Sequence, residues 1–519
     1  MTKKKNRKKK KKNKKNKGEG GGSSGEAEEE DGLDEDGLPL YLAPTNGDEA
    51  GECIGGDAAL NSLMAVERSH LNADSEMRRI FGSAAVGADR QQGRGAAGGG
   101  RGGRGGGSRG GGRSLRKTMI ATPKDNWPPV KHLGISFRLS DSPPPKVPGS
   151  GSQGQFFEVH FDEGYMGVQE QYYAMVATHD PQMMADLMHL HPYHIDTLLQ
   201  MSDYYSQMGE HATAADLIER SVYALELGMN QTFLNALGSV RLDYSVDRNR
   251  LVFHCLFRHM QFVGKKGCNR SALEIARLIL SLAPDSDPMG MLMCIDYYGL
   301  RCRQFVFVPR LADFYSNLPS LHPMHHAAGL PSLRFSKALS LWHTENSEKG
   351  AASSSSSSAA LELLQSALSD HPSALAPLLE KCNALGTSSW PEILTREPFV
   401  SASATETVEH IISIFVERHH TLWKPSPVMM FLQKAARGLC DRLDEGERVS
   451  GGAKVRSASQ DAAMHYKHLL VSNFSDSVTT IPADVMRVGL AALLPSPPSP
   501  LPLLEVWFGL VGWFGGLVF

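Results

Sequence analysis

The chain has 519 residues, with 54 Lys and Arg against 56 Asp and Glu, a formal net charge of −2 that hides strong segregation. Seven Cys at 53, 255, 268, 294, 302, 382 and 440 form neither a CxxC pair nor a disulfide framework, which suits a reducing compartment. A polybasic start with no apolar run behind it excludes a secretory signal. The absence of any internal stretch of about 18 apolar residues excludes a multi-span membrane protein.

Residues 1–58 read as a disordered basic and then acidic tail. Twelve basic residues lie between Lys3 and Lys17, and thirteen acids follow between Glu19 and Asp57, with no Lys or Arg from Gly18 to Glu67. Such like-charge blocks remain solvated and unfolded. A DNA-gripping basic helix is excluded, because Lys17 runs into Gly18–Gly25 and the acidic block instead of an amphipathic dimerising helix. Ala59–Phe81 is expected to form one or two short helices, docked on a partner or on the main body, with Asn72 and Asp74 interrupting its apolar positions. Residues 83–154 read as a disordered Arg/Gly-rich and Pro-rich linker, including Trp127-Pro128-Pro129 and Pro143–Pro145.

From residue 155 the texture becomes helical. Ile195–Met208 carries apolar residues at helical spacing and stops at Gly209; Ala214, Ile218, Val222 and Leu225 form the next stripe, stopped by Gly228. Together they read as a helical hairpin. Ser271-Ala-Leu-Glu274 reads as a capping box opening Ala272–Leu282, which ends before Pro284. Asp287-Pro288 reads as the N-cap of a deeply buried helix over Met289–Leu300. Ala360-x3-Leu364-x2-Ala367-x4-Pro372 follows the order of a tetratricopeptide second helix. The anchors Ala214, Ala272 and Ala360 are 58 and 88 residues apart, which excludes a regular 34-residue repeat. The expected fold is therefore all-α: an irregular TPR-like α-solenoid of helical hairpins behind a long disordered N-terminal region. Its helical parts are 155–347 and 360–494, separated by a Ser/Ala insertion at 348–359. Phe156–Phe161 is the best strand candidate. Residues 495–519 form an atypical Pro-rich and apolar tail. Only 14 uncharged residues follow Glu505, short of the ~20 a membrane span needs, so a non-functional terminus is favoured over an anchor.

A search for catalytic chemistry returns nothing that holds. GxxxxGK[ST], GxSxG after a strand and HExxH are absent, and the GxGxxG-like strings fall within the glycine-rich tract. The local histidine groups 189/191/194, 322/325/326, 419/420 and 465/468 lack Cys or carboxylate partners at a recognised zinc spacing. No enzymatic activity, cofactor, metal or small-molecule substrate is expected. The charged segments carry the functional signal. Lys3, Lys4, Lys5, Arg7, Lys8, Lys9, Lys10, Lys11 and Lys12 can neutralise phosphates and release counterions, or serve as a nuclear localisation signal. Arg101, Arg104 and Arg109 can stack on unpaired bases, or belong to a flexible spacer.

Several strings are specific. Ser69-His-Leu-Asn-Ala-Asp-Ser-Glu-Met-Arg-Arg-Ile-Phe-Gly-Ser83, His191-Pro-Tyr-His-Ile-Asp-Thr-Leu-Leu-Gln200, Arg241-Leu-Asp-Tyr244, Leu278–Pro288 and Arg418-His-His-Thr-Leu-Trp-Lys424 occur in this order. Together they resemble the transcription factor 25, or nuclear localised protein 1, family, whose fungal members are ribosome quality control complex subunit 1. The resemblance runs over about 69–487 with gaps; the usual C-terminal tail is not recognisable beyond Arg487. It implies a non-catalytic adaptor on the large ribosomal subunit, assisting a listerin-type ubiquitin ligase and an AAA segregase in removing stalled nascent chains. Ribosomal RNA would then meet the lysine run, the Arg101 group, and Arg78 and Arg79 of the first motif. The expected location is cytosolic with a nuclear pool, away from membranes. The alternative that the older family name implies is a nuclear transcriptional regulator.

Overall fold

The computed structural model describes residues 56–92, 115–144, 154–348, 359–386, 389–446 and 452–474. Two helices precede the body, α1 (Gly56–Leu63) and α2 (Ala73–Gln92), with a 3-10 turn at Arg68–His70 between them. Strands β1 (Ile135–Leu139) and β2 (Gln155–Phe161) follow, then helices α3 (Glu163–Thr178), α4 (Pro181–Leu190), α5 (Ile195–Gln207), α6 (His211–Gly228) and α7 (Gln231–Asn235). After β3 (Val240–Leu242) come α8 (Asp247–Lys265), α9 (Asn269–Leu282), α10 (Ile295–Arg301), α11 (Phe307–Ser316) and α12 (Pro331–Glu348). The remainder is α13 (Ala359–Asp370), α14 (Leu375–Lys381), α15 (Trp390–Leu394), α16 (Glu406–Trp423), α17 (Ser426–Asp444) and α18 (Gly452–His465).

The body is predominantly helical, and hairpins of neighbouring helices build it. In the α5–α6 hairpin, Gly209 takes φ 80, the left-handed geometry that suits glycine at a helix C-terminus. Leu198, Ala214, Ile218, Val222 and Leu225 are all buried. In α13, Ala360, Leu364 and Ala367 are fully buried, so the tetratricopeptide-like frame marks a core face. Met289–Leu300 is deeply buried as expected, but the chain there is a 3-10 turn (Met291–Met293) followed by α10. Asp287 is the cause. Its carboxylate accepts from the amides of Met291 and Leu292 at 2.7 and 2.9 Å, so it caps the turn and not a long helix.

Three strands add a small sheet in the order β1-β2-β3. β1 pairs antiparallel with β2, with Phe137 opposite Val159; β2 pairs parallel with β3, with Phe156 opposite Arg241. A parallel pair needs a long crossover, and the segment from α3 to α7 supplies it. The expected strand at Phe156–Phe161 is present as β2. β1 and β3 correct the reading in two places: β1 lies inside the expected linker, and β3 inside a family string.

The reading of 83–154 as a disordered linker is also corrected over 115–144. Trp127 is buried against Tyr223, with ring centroids 5.5 Å apart, and its indole N–H donates to Asp216 Oδ1 at 3.1 Å. Ile120 and Ala121 are buried, and their amides donate to the Glu226 carboxylate. Prolines prevent a helix here, yet extended chain still buries Ile120, Ala121 and Trp127, and in β1 the alternation of Ile135 and Phe137 turns an apolar face inward. The reading is corrected over 83–92 as well, where α2 continues past a break at Gly82 to Gln92. Residues 93–114 and 145–153, the Ser/Ala insertion over 349–358 and the tail beyond 474 lie outside the described residues.

Arg241 is buried inside the body, 1% exposed. Its guanidinium donates to the carbonyls of Gly238, Val240 and Ser281 at 3.1, 3.0 and 2.8 Å, and to Asn61 Oδ1 at 3.2 Å. One buried side chain thus ties β3, the end of α9 and α1 together.

Candidate nucleic-acid interface

The first family string folds onto the N-terminus of α9. Asn72, which interrupts the apolar pattern, is the reason a new helix starts: its Oδ1 accepts from the Ser75 amide at 3.0 Å, and its Nδ2 reaches Thr122 Oγ1 at 3.0 Å. Asn72→Ala is expected to cost about 1 kcal/mol through loss of this cap, read as a lower urea midpoint and faster amide exchange at Ser75. One turn further, Glu76 is buried and its carboxylate accepts from the amides of Arg270 and Ser271 at 3.0 and 2.7 Å. These amides are among the first of α9, where intrahelical acceptors are missing and the helix dipole favours an anion. The cap of α9 therefore comes from 194 residues away.

This arrangement corrects the capping box. Ser271 Oγ has no hydrogen-bond partner, and Glu274 turns toward the N-terminal motif. Glu274 accepts from the Glu67 amide at 2.9 Å and pairs with Arg270 at 3.0 Å and Arg277 at 3.1 Å. Arg270 also pairs with Glu67 at 2.9 Å, and the Arg277 guanidinium lies 4.1 Å from the centroid of Phe307. Burial raises the pKa of Glu274 despite the two arginines, and burial lowers that of Arg277 against the pull of Glu274. The 3-10 turn is anchored by Arg68, which donates to the Leu234 carbonyl at 2.7 Å.

Arg78 and Arg79 lie on α2 just beyond this clamp and are exposed. Arg79 is close enough to His70 to help burial and Arg270 lower its pKa. Next to the clamp, Lys265 and Lys266 are exposed at the end of α8. Lys266 pairs with Glu219 at 2.6 Å, and Lys124 bridges Glu219 and Asp216 at 2.7 Å each. Burial would raise the Glu219 pKa, but the two lysines overcome it and hold it at about 2. Exposed guanidinium groups on a rigidly seated helix suit phosphate binding, which positions a nucleic acid without reading its sequence. Of the basic candidates, Arg78 and Arg79 are placed; Lys3, Lys4, Lys5, Arg7, Lys8, Lys9, Lys10, Lys11, Lys12, Arg101, Arg104 and Arg109 lie outside the described residues.

The buried polar groups elsewhere serve packing. Ser336 Oγ donates to Asp296 Oδ2 at 2.8 Å, and His419 Nε2 lies 3.1 Å from that same oxygen, with Asp296 and His419 fully buried. Ser and His share one acceptor, so no Ser–His relay exists here. His194 caps α5: its ring contacts Thr197 Oγ1 at 2.7 Å and Gln169 Oε1 at 3.0 Å. His465 Nε2 and His468 Nε2 lie 3.0 and 3.3 Å from the carbonyls of Ser286 and Pro288, pinning the end of α18 to that loop. Among the described residues no group of three or more His, Cys, Asp or Glu is placed to hold a metal ion. Cys255, Cys268 and Cys294 are buried, and burial pushes their thiols to about 12, far from a reactive thiolate. Among the described residues no helix is long and apolar enough to cross a membrane.

The fold is that of a predominantly helical body built from packed helix pairs. The chain belongs to the Tcf25 family: the family model described as "Transcriptional repressor TCF25" matches residues 157–498. That match passes Arg487, where the resemblance to the family strings fades. The human protein named "Ribosome quality control complex subunit TCF25" is 30% identical over 456 residues, covering 86% of this chain and 63% of its own length. "Ribosome quality control complex subunit 1" of Schizosaccharomyces pombe is 30% identical over 291 residues, covering 55% of this chain and 39% of its own. "Probable transcription factor claV" of Ampulloclitocybe clavipes is 24% identical over 447 residues, covering 82% and 56%. The chain thus spans less than two thirds of the length of these relatives. No solved structure matches.

Proposed function

We propose that this protein is a non-catalytic adaptor of ribosome-associated quality control. It binds the large ribosomal subunit and assists a listerin-type ubiquitin ligase and an AAA segregase in clearing stalled nascent chains. The relatives named as quality control complex subunits carry this reading, and the seating of Arg78 and Arg79 on a capped, exposed helix supports it. Ribosomal RNA meets these two arginines and the N-terminal lysines through phosphate contacts, while the helical body holds protein partners. The protein acts in the cytosol, with a nuclear pool. A nuclear regulator of transcription is the second reading, favoured by the family description and by the claV relative.

Sedimentation of lysate through sucrose at moderate salt separates the two. Co-migration with large subunits, increased by stalling translation, is the expected result; recovery only with chromatin would overturn it. Arg78→Glu/Arg79→Glu and deletion of residues 1–17 are each expected to weaken ribosome binding and flatten its salt dependence, since each lost phosphate contact removes about one unit of slope. An unchanged slope in the deletion would assign those lysines to targeting.

A further inference from the structure

The first helices of the body differ in chemistry from everything around them. From Val147 to Glu219 the sequence contains eleven acids and no Lys or Arg. Seven of the 21 methionines fall between Met166 and Met208. Helix α3 carries only Glu163 and Glu170 as charges, and apolar residues all round it. Such a helix belongs in an interior. Its inner side is satisfied: Val168 and Tyr172 pack with Leu187 and Met188 of α4 and with Leu198 of α5. Its outer side is not covered by any of the described residues, and Met166, Ala174 and Ala177 are exposed there. Met183 and Leu190 on α4 and Met208 after α5 are exposed as well, Leu190 by 72% and Met208 by 65%. Exposed acids stand on the same elements, Glu163 and Glu170 on α3, Asp186 on α4, and Asp180 and Glu210 at helix starts.

We infer that the α3–α4 end of the body is a docking surface for a basic amphipathic helix of a partner protein. Three features select that partner. Methionine side chains are flexible and polarizable, and they adapt to helical ligands whose anchors vary. Apolar anchors at positions i, i+3 or i+4, and i+7 of a helix fit an apolar face bounded by neighbouring helices. The sign of the charge demands Lys or Arg between those anchors: Asp203, Asp216 and Glu219 are already paired with Arg258, Lys124 and Lys266, whereas the exposed Glu163, Glu170, Asp180, Asp186 and Glu210 make no ion pair among the described residues. This chain's own run from Lys3 to Lys17 has the charge but not one apolar residue, so it lacks the anchors. The inference stands apart from the proposed function and holds whichever cellular role is found.

The test uses the full-length protein and a fluorescein-labelled leucine/lysine amphipathic 14-mer, followed by anisotropy. Three controls accompany it: a scrambled peptide of the same composition, a leucine/glutamate analogue and light scattering of the protein alone. Saturable binding of the amphipathic lysine peptide is expected, at least about 10-fold tighter than either control. Met166→Ser/Met183→Ser, at two exposed positions, should weaken it about 10-fold with unchanged melting. Glu170→Gln/Asp186→Asn should weaken it at about 50 mM salt and much less at about 300 mM. Leu190→Ser provides a second apolar variant should the first pair melt early. Equal binding of the scrambled peptide would show that the acidic N-terminal block captures charge alone and would overturn the proposal. So would unchanged affinity in both apolar variants. Self-association lost in Met166→Ser/Met183→Ser would make a second copy the occupant, and tighter binding after removal of residues 1–17 would make it the chain's own lysine run; either result overturns the proposal.

Discussion

Replacing Glu76 with alanine is expected to lower stability by about 2–4 kcal/mol, because it strips a charge-assisted cap from two buried amides at once. Among the described residues the amides of Arg270 and Ser271 bond to Glu76, Ser271 Oγ is itself unsatisfied, and Glu274 is held by Glu67, Arg270 and Arg277. Glu76→Gln keeps an acceptor of the same shape and loses the charge, so it should recover part of the deficit. The effect is also local. With the cap gone, the segment from the 3-10 turn through α2 loses its principal buried polar tie, and trypsin should cut at Arg68, Arg78 and Arg79 well before the body unfolds. Urea unfolding and timed proteolysis measure the two effects. A midpoint unchanged within error in the alanine variant would show that the contact contributes nothing, and cutting only in step with global unfolding would deny the local release. If the arginines of α2 bind ribosomal RNA, Glu76→Ala should weaken ribosome binding without changing a single cation.

The second large effect is acid instability. His194, His259, His326 and His371 are buried, and burial lowers their pKa values to about 3, 4, 4 and 3. A folded-state pKa below the unfolded one means stability that is present above about pH 6.5 and is lost as pH falls toward the folded values. At about pH 5 each histidine has withheld roughly 1.5 units, so the four together remove on the order of 8 kcal/mol. Two buried aspartates act in the opposite sense. Burial raises Asp287 to about 7 and Asp196 to about 6, so their contribution is present in acid and is lost as pH rises through those values. Between neutrality and about pH 5 they return on the order of 4 kcal/mol. Burial raises Glu226, Glu274 and Asp370 in the same sense, while His254 and His343, lowered to about 4, add to the loss. The histidines are the larger contribution, a sizeable share of the stability of an ordinary domain. Urea midpoints at about pH 7.5, 6.5, 5.5 and 5 should fall steeply below 6.5, in a range where exposed carboxylates do not titrate. A flat profile down to pH 5 would contradict it.

The joint around Asp287 makes the opposition concrete. Tyr466 OH donates to Asp287 Oδ2 at 2.9 Å, while the rings of His326 and His465 are 4.4 Å apart beside it. His322 pairs with Asp285 at 3.3 Å and His325 faces Asp461 at 3.6 Å. The joint between the end of α18 and the 285–290 loop thus holds one group of each kind, Asp287 raised to about 7 and His326 lowered to about 4.

Helices whose signals are local were legible in the residues. Gly209 and Gly228 end α5 and α6 because the left-handed or terminal geometry is decided within a turn of the chain, and the small residues Ala214, Ala360 and Ala367 are core positions because helical spacing already places them on one face. The exposed arginine pair on α2 was legible for a different reason, as part of a string shared with a family. What the sequence alone determined is therefore the class of architecture and the sign of its charged segments. Tertiary structure decided the rest. The Ser271/Glu274 box is locally complete, yet α9 starts at Asn269, Glu274 is held by Glu67, Arg270 and Arg277, and the Glu76 carboxylate, 195 residues earlier, takes the Ser271 amide. Arg241, charged and inside, is stable only because the Gly238, Val240 and Ser281 carbonyls and the Asn61 side chain, from three separated segments, converge on it. β1 is a five-residue alternation between Pro129 and Pro143, too short to stand without its pairing with β2. Periodicity and caps depend on neighbours a few residues away, whereas a buried charge or an edge strand depends on partners that only the folded chain brings together.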